Sequence, residues 1–141
     1  MLFGTYENKI DAKGRVAIPA KMRIDLGESV MVCPHILGKK CLCVYSMAEW
    51  EKFVAKLESF PVTKIGDAKR QLYSKTFNLG YDSQGRILLP SLLRDLVGLG
   101  KDAQFIGMKS YAEIWGTEAW EKEDESNSFD SMASAFEGLE F

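Results

Sequence analysis

Short stretches of alternating apolar and polar residues are followed by residues at helical spacing, and this order occurs twice along the chain. In each copy a short strand, over 4–9 and over 77–81, is predicted to run into a glycine-containing turn. A second β-rich run follows and ends at Pro19 or at Pro90. The pattern therefore predicts two copies of one strand-turn-strand unit.

A short helix, a hairpin and a longer helix are predicted to follow in each copy. The prolines that open the short helices and the glycines that stop them are Pro19 with Gly27 and Pro90 with Gly98. The hairpin arms are predicted at 29–35 with 40–45 and at 103–108 with 112–115. Ser46 followed by Glu49 predicts a capping box for the longer helix of the first copy, and Thr117 predicts a cap in the second.

The two copies align in register. Residues 11–19 and 82–90 share the pattern Asp-x-x-Gly-Arg-[Val/Ile]-x-[Ile/Leu]-Pro at an offset of 71 residues, and Trp-Glu-Lys occurs at both 50–52 and 120–122. Each unit is too small to bury a sufficient core, so the two are expected to interlock into one domain. The expected organisation is a first repeat at 1–60, a connecting helix at 61–76, a second repeat at 77–122 and an acidic C-terminal tail at 123–141.

Charge is divided unevenly along the 141 residues, whose net charge is only −2. Residues 117–141 hold eight acidic side chains against Lys122 alone, a net −7, whereas residues 1–116 carry 17 basic and 12 acidic groups, a net +5. This division favours a body that binds a polyanion and a tail that solvates or shields it. A tail that only solubilises the protein is the alternative. Weak helical spacing over 129–136 indicates a helix that faces a partner or is loosely ordered.

Cysteine usage and apolar run lengths restrict the location and the chemistry. The three cysteines, Cys33, Cys41 and Cys43, are odd in number and clustered, which favours a reducing cytosol over a disulfide framework. No apolar run is long enough for a signal peptide or a membrane span. With His35 the cysteines could converge on zinc, but the spacing is unusual and absent from the second copy, so buried cysteines and no metal or other cofactor are predicted.

Catalysis has little support. The chain has one histidine, no Ser-His-Asp arrangement and no phosphate-binding glycine-rich loop, so it is not predicted to be an enzyme. A thiol or zinc enzyme at the cysteine hairpin is a distant alternative.

The doubled turn motif resembles the fingerprint of the MraZ family of bacterial transcriptional regulators, which has the AbrB-like swapped-hairpin fold. The family pattern Asp-x-x-x-Arg is matched by Asp11 with Arg15 and by Asp82 with Arg86. The resemblance implies an α+β protein in which two internal AbrB-like repeats form a swapped-hairpin β-barrel with short helices around it. It also implies a ring-shaped homo-oligomer that binds repeated DNA boxes upstream of the division and cell-wall gene cluster, including its own gene.

Arginine suits DNA binding because its planar fork donates two parallel hydrogen bonds to phosphate or to a guanine edge. An aspartate four residues earlier can orient the arginine, and glycine permits the positive φ that such a turn needs. The candidate DNA-binding residues are Arg15, Arg86, Lys13, Gln84, Lys9 and Lys21, and the organising residues are Asp11, Asp82, Gly14 and Gly85. Alternatively, each aspartate and arginine pair only for structural reasons. Roles in packing, subunit contact or phosphate positioning stay open for Arg23 and Arg94.

The residues favour a cytoplasmic protein that binds a polyanion, and the resemblance implies a nucleoid-associated regulator that forms a ring, binds double-stranded DNA and represses its own operon. The alternative of another class is an oligomeric interaction protein without specific DNA binding. Salt-dependent binding to duplex DNA separates the two.

Overall fold

The computed structural model describes residues 1–141 and contains eight strands and six helices. The strands are β1 (Thr5–Lys9), β2 (Arg15–Ala17), β3 (Ser29–Pro34), β4 (Cys41–Ser46), β5 (Phe77–Gly80), β6 (Arg86–Leu88), β7 (Asp102–Gly107) and β8 (Ala112–Gly116). The helices are α1 (Ala20–Leu26), α2 (Met47–Glu58), α3 (Val62–Tyr73), α4 (Ser91–Val97), α5 (Thr117–Ser126) and α6 (Phe129–Glu137). The predicted α+β class is confirmed. None of the helices combines the length and the apolar character needed to cross a membrane.

The two repeats exchange their first strands. Six antiparallel strands form one sheet in the order β1-β7-β8-β4-β3-β5, so that β1 pairs with the hairpin of the second repeat and β5 with the hairpin of the first. The central pair, β4 with β8, joins the two hairpins. Neither repeat completes its half of the sheet without the other, which agrees with the expectation that the units interlock.

The sheet stays open, so the predicted closure into a swapped-hairpin barrel is not confirmed. Its edge strands, β1 and β5, do not pair with each other. Each instead runs into its Asp-x-x-Gly-Arg turn and returns as β2 or β6, and these two short strands pair as a separate antiparallel ribbon. The chain therefore turns away from each edge before a continuous ring of strands can form.

Two buried clusters hold these elements together. The larger draws on both repeats and includes the ribbon residues Val16 and Ile87, neither of which is exposed to solvent. The smaller lies beneath α2 and α3 and contains Cys33, Cys43 and Leu72 with partly buried aromatic rings around them. Burial of the ribbon's inner face in the larger cluster fixes the ribbon, and with it the two turns, to the sheet.

One predicted helix cap is confirmed and one is wrong. The Ser46 hydroxyl accepts the backbone N–H of Glu49 at 3.2 Å, as the capping box requires. Thr117 does not cap α5, which begins after Gly116 without a side-chain cap. Instead the Thr117 hydroxyl accepts a hydrogen bond from Nε2 of Gln104 at 3.3 Å. Gln104 is buried on β7, and its Nε2 also donates to Oε2 of Glu7 at 3.1 Å, so Thr117 and Glu7 together satisfy a buried amide group.

The turn glycines provide both a backbone conformation and space. Gly14 and Gly85 have φ of +92° and +74°. A Cβ on Gly14 would lie 2.6 Å from Nε of Arg94, and the guanidinium of Arg23 occupies the space that a Cβ on Gly85 would need. Each arginine therefore packs over the turn of the other repeat. Nε of Arg94 also donates to the carbonyl of Leu89 at 3.0 Å, a bond within its own repeat. The contacts over Gly14 and Gly85 are the ones that use these arginines in packing between repeats.

This packing predicts that Gly14→Ala costs more than Gly98→Ala. Gly98 also has a positive φ, +66°, but open space around its Cβ position, so its replacement adds backbone strain alone. At Gly14 the new methyl group also displaces Arg94 from Leu89, which adds about 1 kcal/mol to the loss of unfolding free energy. Denaturant unfolding at equal protein concentration measures both losses. Equal losses, or a difference that persists in an Arg94→Ala background, would contradict this packing.

Candidate nucleic-acid interface

The register of the ribbon brings both motif arginines to one face. In the antiparallel pairing of β2 with β6, Arg15 lies opposite Leu88 and Arg86 lies opposite Ala17. Side chains two positions apart on a strand point to the same side, so these four share the outward face. The alternate positions, which point into the core, are fully buried: Val16 and Ile87. Two arginines 71 residues apart in the chain thus form one surface feature.

The first turn holds its arginine through a single carboxylate. Oδ1 of Asp11 accepts the backbone N–H groups of Lys13 at 3.0 Å and of Arg15 at 2.8 Å, and Oδ2 accepts Nε of Arg15 at 2.6 Å. The backbone bonds shape the turn, and the side-chain bond sets the direction of the guanidinium. One carboxylate thus bonds both the backbone of the turn and the side chain of its arginine.

The second turn repeats this geometry and adds a contact to the first. Oδ1 of Asp82 accepts the N–H groups of Gln84 at 2.8 Å and of Arg86 at 3.0 Å, and Oδ2 accepts Nε of Arg86 at 2.8 Å. Nη1 of Arg86 also lies 3.7 Å from Oδ2 of Asp11. Asp11 thus faces both arginines, and Arg86 is held between two carboxylates. This link depends on strand register, so the sequence motif alone does not reveal it.

The two guanidinium groups differ in how many of their terminal nitrogens are unpaired. Arg15 uses Nε within its turn and keeps both terminal nitrogens, and 35% of its side chain is exposed. Arg86 is 26% exposed and one of its terminal nitrogens faces Asp11. Terminal guanidinium nitrogens make the paired bonds to phosphate or guanine. The intramolecular ion pair of the purely structural alternative is therefore present, and it leaves both terminal nitrogens of Arg15 unpaired.

Hydrogen bonding keeps both organising carboxylates ionised. The backbone N–H of Arg15 is the largest cause that lowers the pKa of Asp11, and its side chain adds to the effect. The backbone N–H of Arg86 lowers the pKa of Asp82 in the same way. Both aspartates are charged at neutral pH and hold their arginines by charge-assisted bonds.

The other candidate residues lie in the two turns, on β1 and on α1. Lys13 and Gln84 are exposed in the two turns, and neither side chain has a hydrogen-bond partner within the chain. Lys21 is exposed on α1. Lys9, at the end of β1, lies 3.4 Å from a carboxylate oxygen of Asp102, which offsets part of its charge. Among these lysines, Lys13 is the one that the turn itself presents beside Arg15.

The cysteine hairpin has the geometry of a buried polar cluster. Nε2 of His35, Sγ of Cys43 and the carboxylate of Glu113 lie within 4.8 Å of one another. Nδ1 of His35 accepts the N–H of Leu37 at 3.1 Å, which leaves the Nε2 proton to face Glu113 at 3.5 Å. Burial raises the pKa of Cys33 to about 12, and a hydrogen bond with Cys41 together with burial raises the pKa of Cys43. The raised pKa values keep the thiols of Cys33 and Cys43 protonated at neutral pH.

The lowered pKa of Asp11 generates a prediction for Asp11→Asn. A lowered pKa in the folded state stabilises the protein above the ordinary value of 3.8, and this contribution is lost as pH falls through the folded-state pKa. The variant should be less stable than the wild type at pH 7, and the gap should close toward pH 3. Urea unfolding between pH 3 and pH 7 measures it. Asp67→Asn is the control, since Asp67 is fully exposed. A gap that stays constant over this range would mean that Asp11 acts through shape alone.

Comparison with known proteins identifies the family. The family model described as "MraZ protein, putative antitoxin-like" matches twice, over residues 1–71 and 72–140. Proteins named transcriptional regulator MraZ are 42% identical in Thermoanaerobacter sp. (strain X514), over 99% of both chains, and 37% identical in Lactobacillus delbrueckii subsp. bulgaricus, again over 99% of both. A third, from Lachnoclostridium phytofermentans, is 42% identical over 94% of this chain and 90% of its own. The chain belongs to the MraZ family, as its doubled turn motif predicts.

Proposed function

We propose that this protein is a transcriptional regulator that binds double-stranded DNA in a sequence-specific manner through the outward face of the β2–β6 ribbon. The observation that carries the proposal is the pair Arg15 and Arg86, which share that face and are each oriented by an aspartate. The names of its relatives support the regulatory role. In this proposal the protein is cytoplasmic and acts at the nucleoid. It binds repeated promoter boxes and represses the division and cell-wall gene cluster, which includes its own gene.

Arg15 is the principal DNA contact in this proposal. Its terminal nitrogens can bond to phosphate or to O6 and N7 of guanine, while Nε stays on Asp11. Because the side chain is oriented before DNA arrives, less conformational entropy is lost on binding. Lys13 can add a phosphate contact beside it, and Gln84 can reach a base edge or phosphate from the second turn.

Oligomerisation supplies the DNA affinity that one chain lacks. One ribbon neutralises few phosphates, so a single copy binds weakly and with strong sensitivity to salt. A ring of copies presents the same ribbon to successive DNA boxes and gains affinity through effective concentration, provided that the spacings match. The proposal also includes a swapped-hairpin relation between the two repeats. This relation gives each copy one ribbon that carries both arginines.

A second candidate function is an oligomeric interaction protein without specific DNA binding. Exposed apolar side chains on two helices favour it, since exposed apolar patches mark protein contacts. These side chains are Ile24 on α1 and Leu92 and Leu96 on α4. In the first proposal the same residues serve contacts between copies, so DNA binding decides between the two.

Arg15→Ala should abolish selective binding to DNA from upstream of the protein's own gene. Loss of one bidentate interaction costs about 1 to 3 kcal/mol per bound copy, or roughly five- to 150-fold in affinity. Fluorescence anisotropy with this duplex and a shuffled duplex, over a salt series, measures the loss. Arg70→Ala is the matched control, because Arg70 is exposed on α3 and pairs only with Asp67.

Equal binding of the wild type to both duplexes would support the interaction protein instead. If Arg15→Ala dissociates the oligomer or unfolds the chain, as size-exclusion chromatography and circular dichroism would show, Arg15 has a structural role.

Arg86→Ala should weaken selective binding less than Arg15→Ala does. Arg86 is less exposed and faces two carboxylates, so less of its charge is available to DNA. The same anisotropy assay ranks the two variants. A larger loss with Arg86→Ala would reverse the assignment of the principal contact.

A further inference from the structure

The C-terminal helix α6 is amphipathic, and apart from the packing of Phe136 against Phe141 its apolar face lies in water. Its apolar side chains Phe129, Met132 and Phe136 recur at helical spacing along one face, and none of the helix's residues is buried. Phe129 is 80% exposed and Phe136 is 50% exposed. An apolar helical face left in water favours a docking partner. The same segment is acidic through Asp130 and Glu137.

A groove on the body has the complementary character. It lies between the β3–β4 loop and α3 and has a volume of about 690 Å³. Leu57, Ile65 and Leu72 contribute to its apolar lining. Helices commonly dock into apolar grooves through side chains spaced like those of α6.

Lysines rim this groove and give it an excess of positive charge. The four are Lys39, Lys40, Lys69 and Lys75. Lys69 is paired with Glu58 at 2.6 Å and Lys39 with Glu123 at 2.7 Å. Lys40 and Lys75 have no carboxylate within ion-pair distance. The rim can therefore accept further acidic side chains.

The chain's own α6 does not fill the groove. The pairing of Lys39 with Glu123 and the contact of Trp115 with Trp120 hold α5 beside the groove. Although only Asn127 and Ser128 separate α5 from α6, no residue of α6 lines the groove and none is buried. The groove of one copy is therefore open to the α6 of another.

We propose that α6 of one copy docks in the lysine-rimmed groove of a neighbouring copy, with its phenylalanines on the apolar lining and its carboxylates on the rim. The acidic tail is then an assembly element. This inference rests on the oligomeric part of the proposed function and is independent of the DNA contact.

Two pairs of full-length variants test the docking. Phe136→Asp places a charge on the apolar face of α6, and Ser134→Asp places the same charge on its polar face. Ala68→Glu adds an acid inside the groove, and Thr63→Glu adds one on the exposed start of the same helix, α3. Sedimentation velocity over a concentration series should show assembly shifted roughly tenfold or more toward higher concentration by Phe136→Asp and by Ala68→Glu, and unshifted by the controls. Unchanged assembly with both groove and helix variants would overturn the proposal.

A photo-crosslink then identifies the copy that supplies the helix. Full chains that carry benzoylphenylalanine in place of Phe136 are produced with either ¹⁴N or ¹⁵N label. The two forms are then mixed and irradiated. The expected products join α6 to α3 and include pairs of one light and one heavy chain. Crosslinks confined to single chains would mean that the helix folds onto its own groove, and crosslinks elsewhere would mean another surface. Either result would overturn the inference. If assembly fails to depend on α6 while Arg15 still governs DNA selectivity, only the inference is lost.

Discussion

The antiparallel pairing of β2 with β6 decides where the molecule presents its two motif arginines. Three residue pairs make this ribbon, and their register puts Arg15 and Arg86 outward and Val16 and Ile87 into the core. A slip by one residue would turn one strand over and bury its arginine. Burial of the inner pair therefore stabilises the fold and orients the outer pair at the same time.

Exchange between the repeats keeps the ribbon in place. Each repeat gives its first strand to the other's hairpin, and each sends an arginine over the other's turn glycine. The copies are nevertheless unequal, because Asp11 faces both arginines whereas Asp82 holds only Arg86. Duplication thus produced a near-symmetric platform in which one arginine has more freedom to bind.

Local patterns in the sequence predict much of this structure. Proline and glycine positions predict α1 and α4, and the Ser46 capping box predicts the start of α2, because these signals act within a few residues. The doubled motif predicts the two turns and the positive φ of Gly14 and Gly85. Contacts between repeats were not predictable in this way: the reach of Arg23 to Gly85, the Arg86–Asp11 contact and the open sheet all depend on strand partners distant in sequence. Thr117 shows the same limit, since its hydroxyl bonds to Gln104 on β7 and does not cap α5.

DNA binding is, in this view, a property of the two arginines acting as one surface. The most direct test is the slope of log affinity against log salt for the specific duplex, compared between the wild type and Arg15→Ala/Arg86→Ala. Removing one phosphate interaction makes the slope shallower by about 0.9. We expect a steep slope and strong selectivity for the wild type, and a shallower slope without selectivity for the double variant. An unchanged slope with selectivity retained would contradict the role of the ribbon in DNA binding.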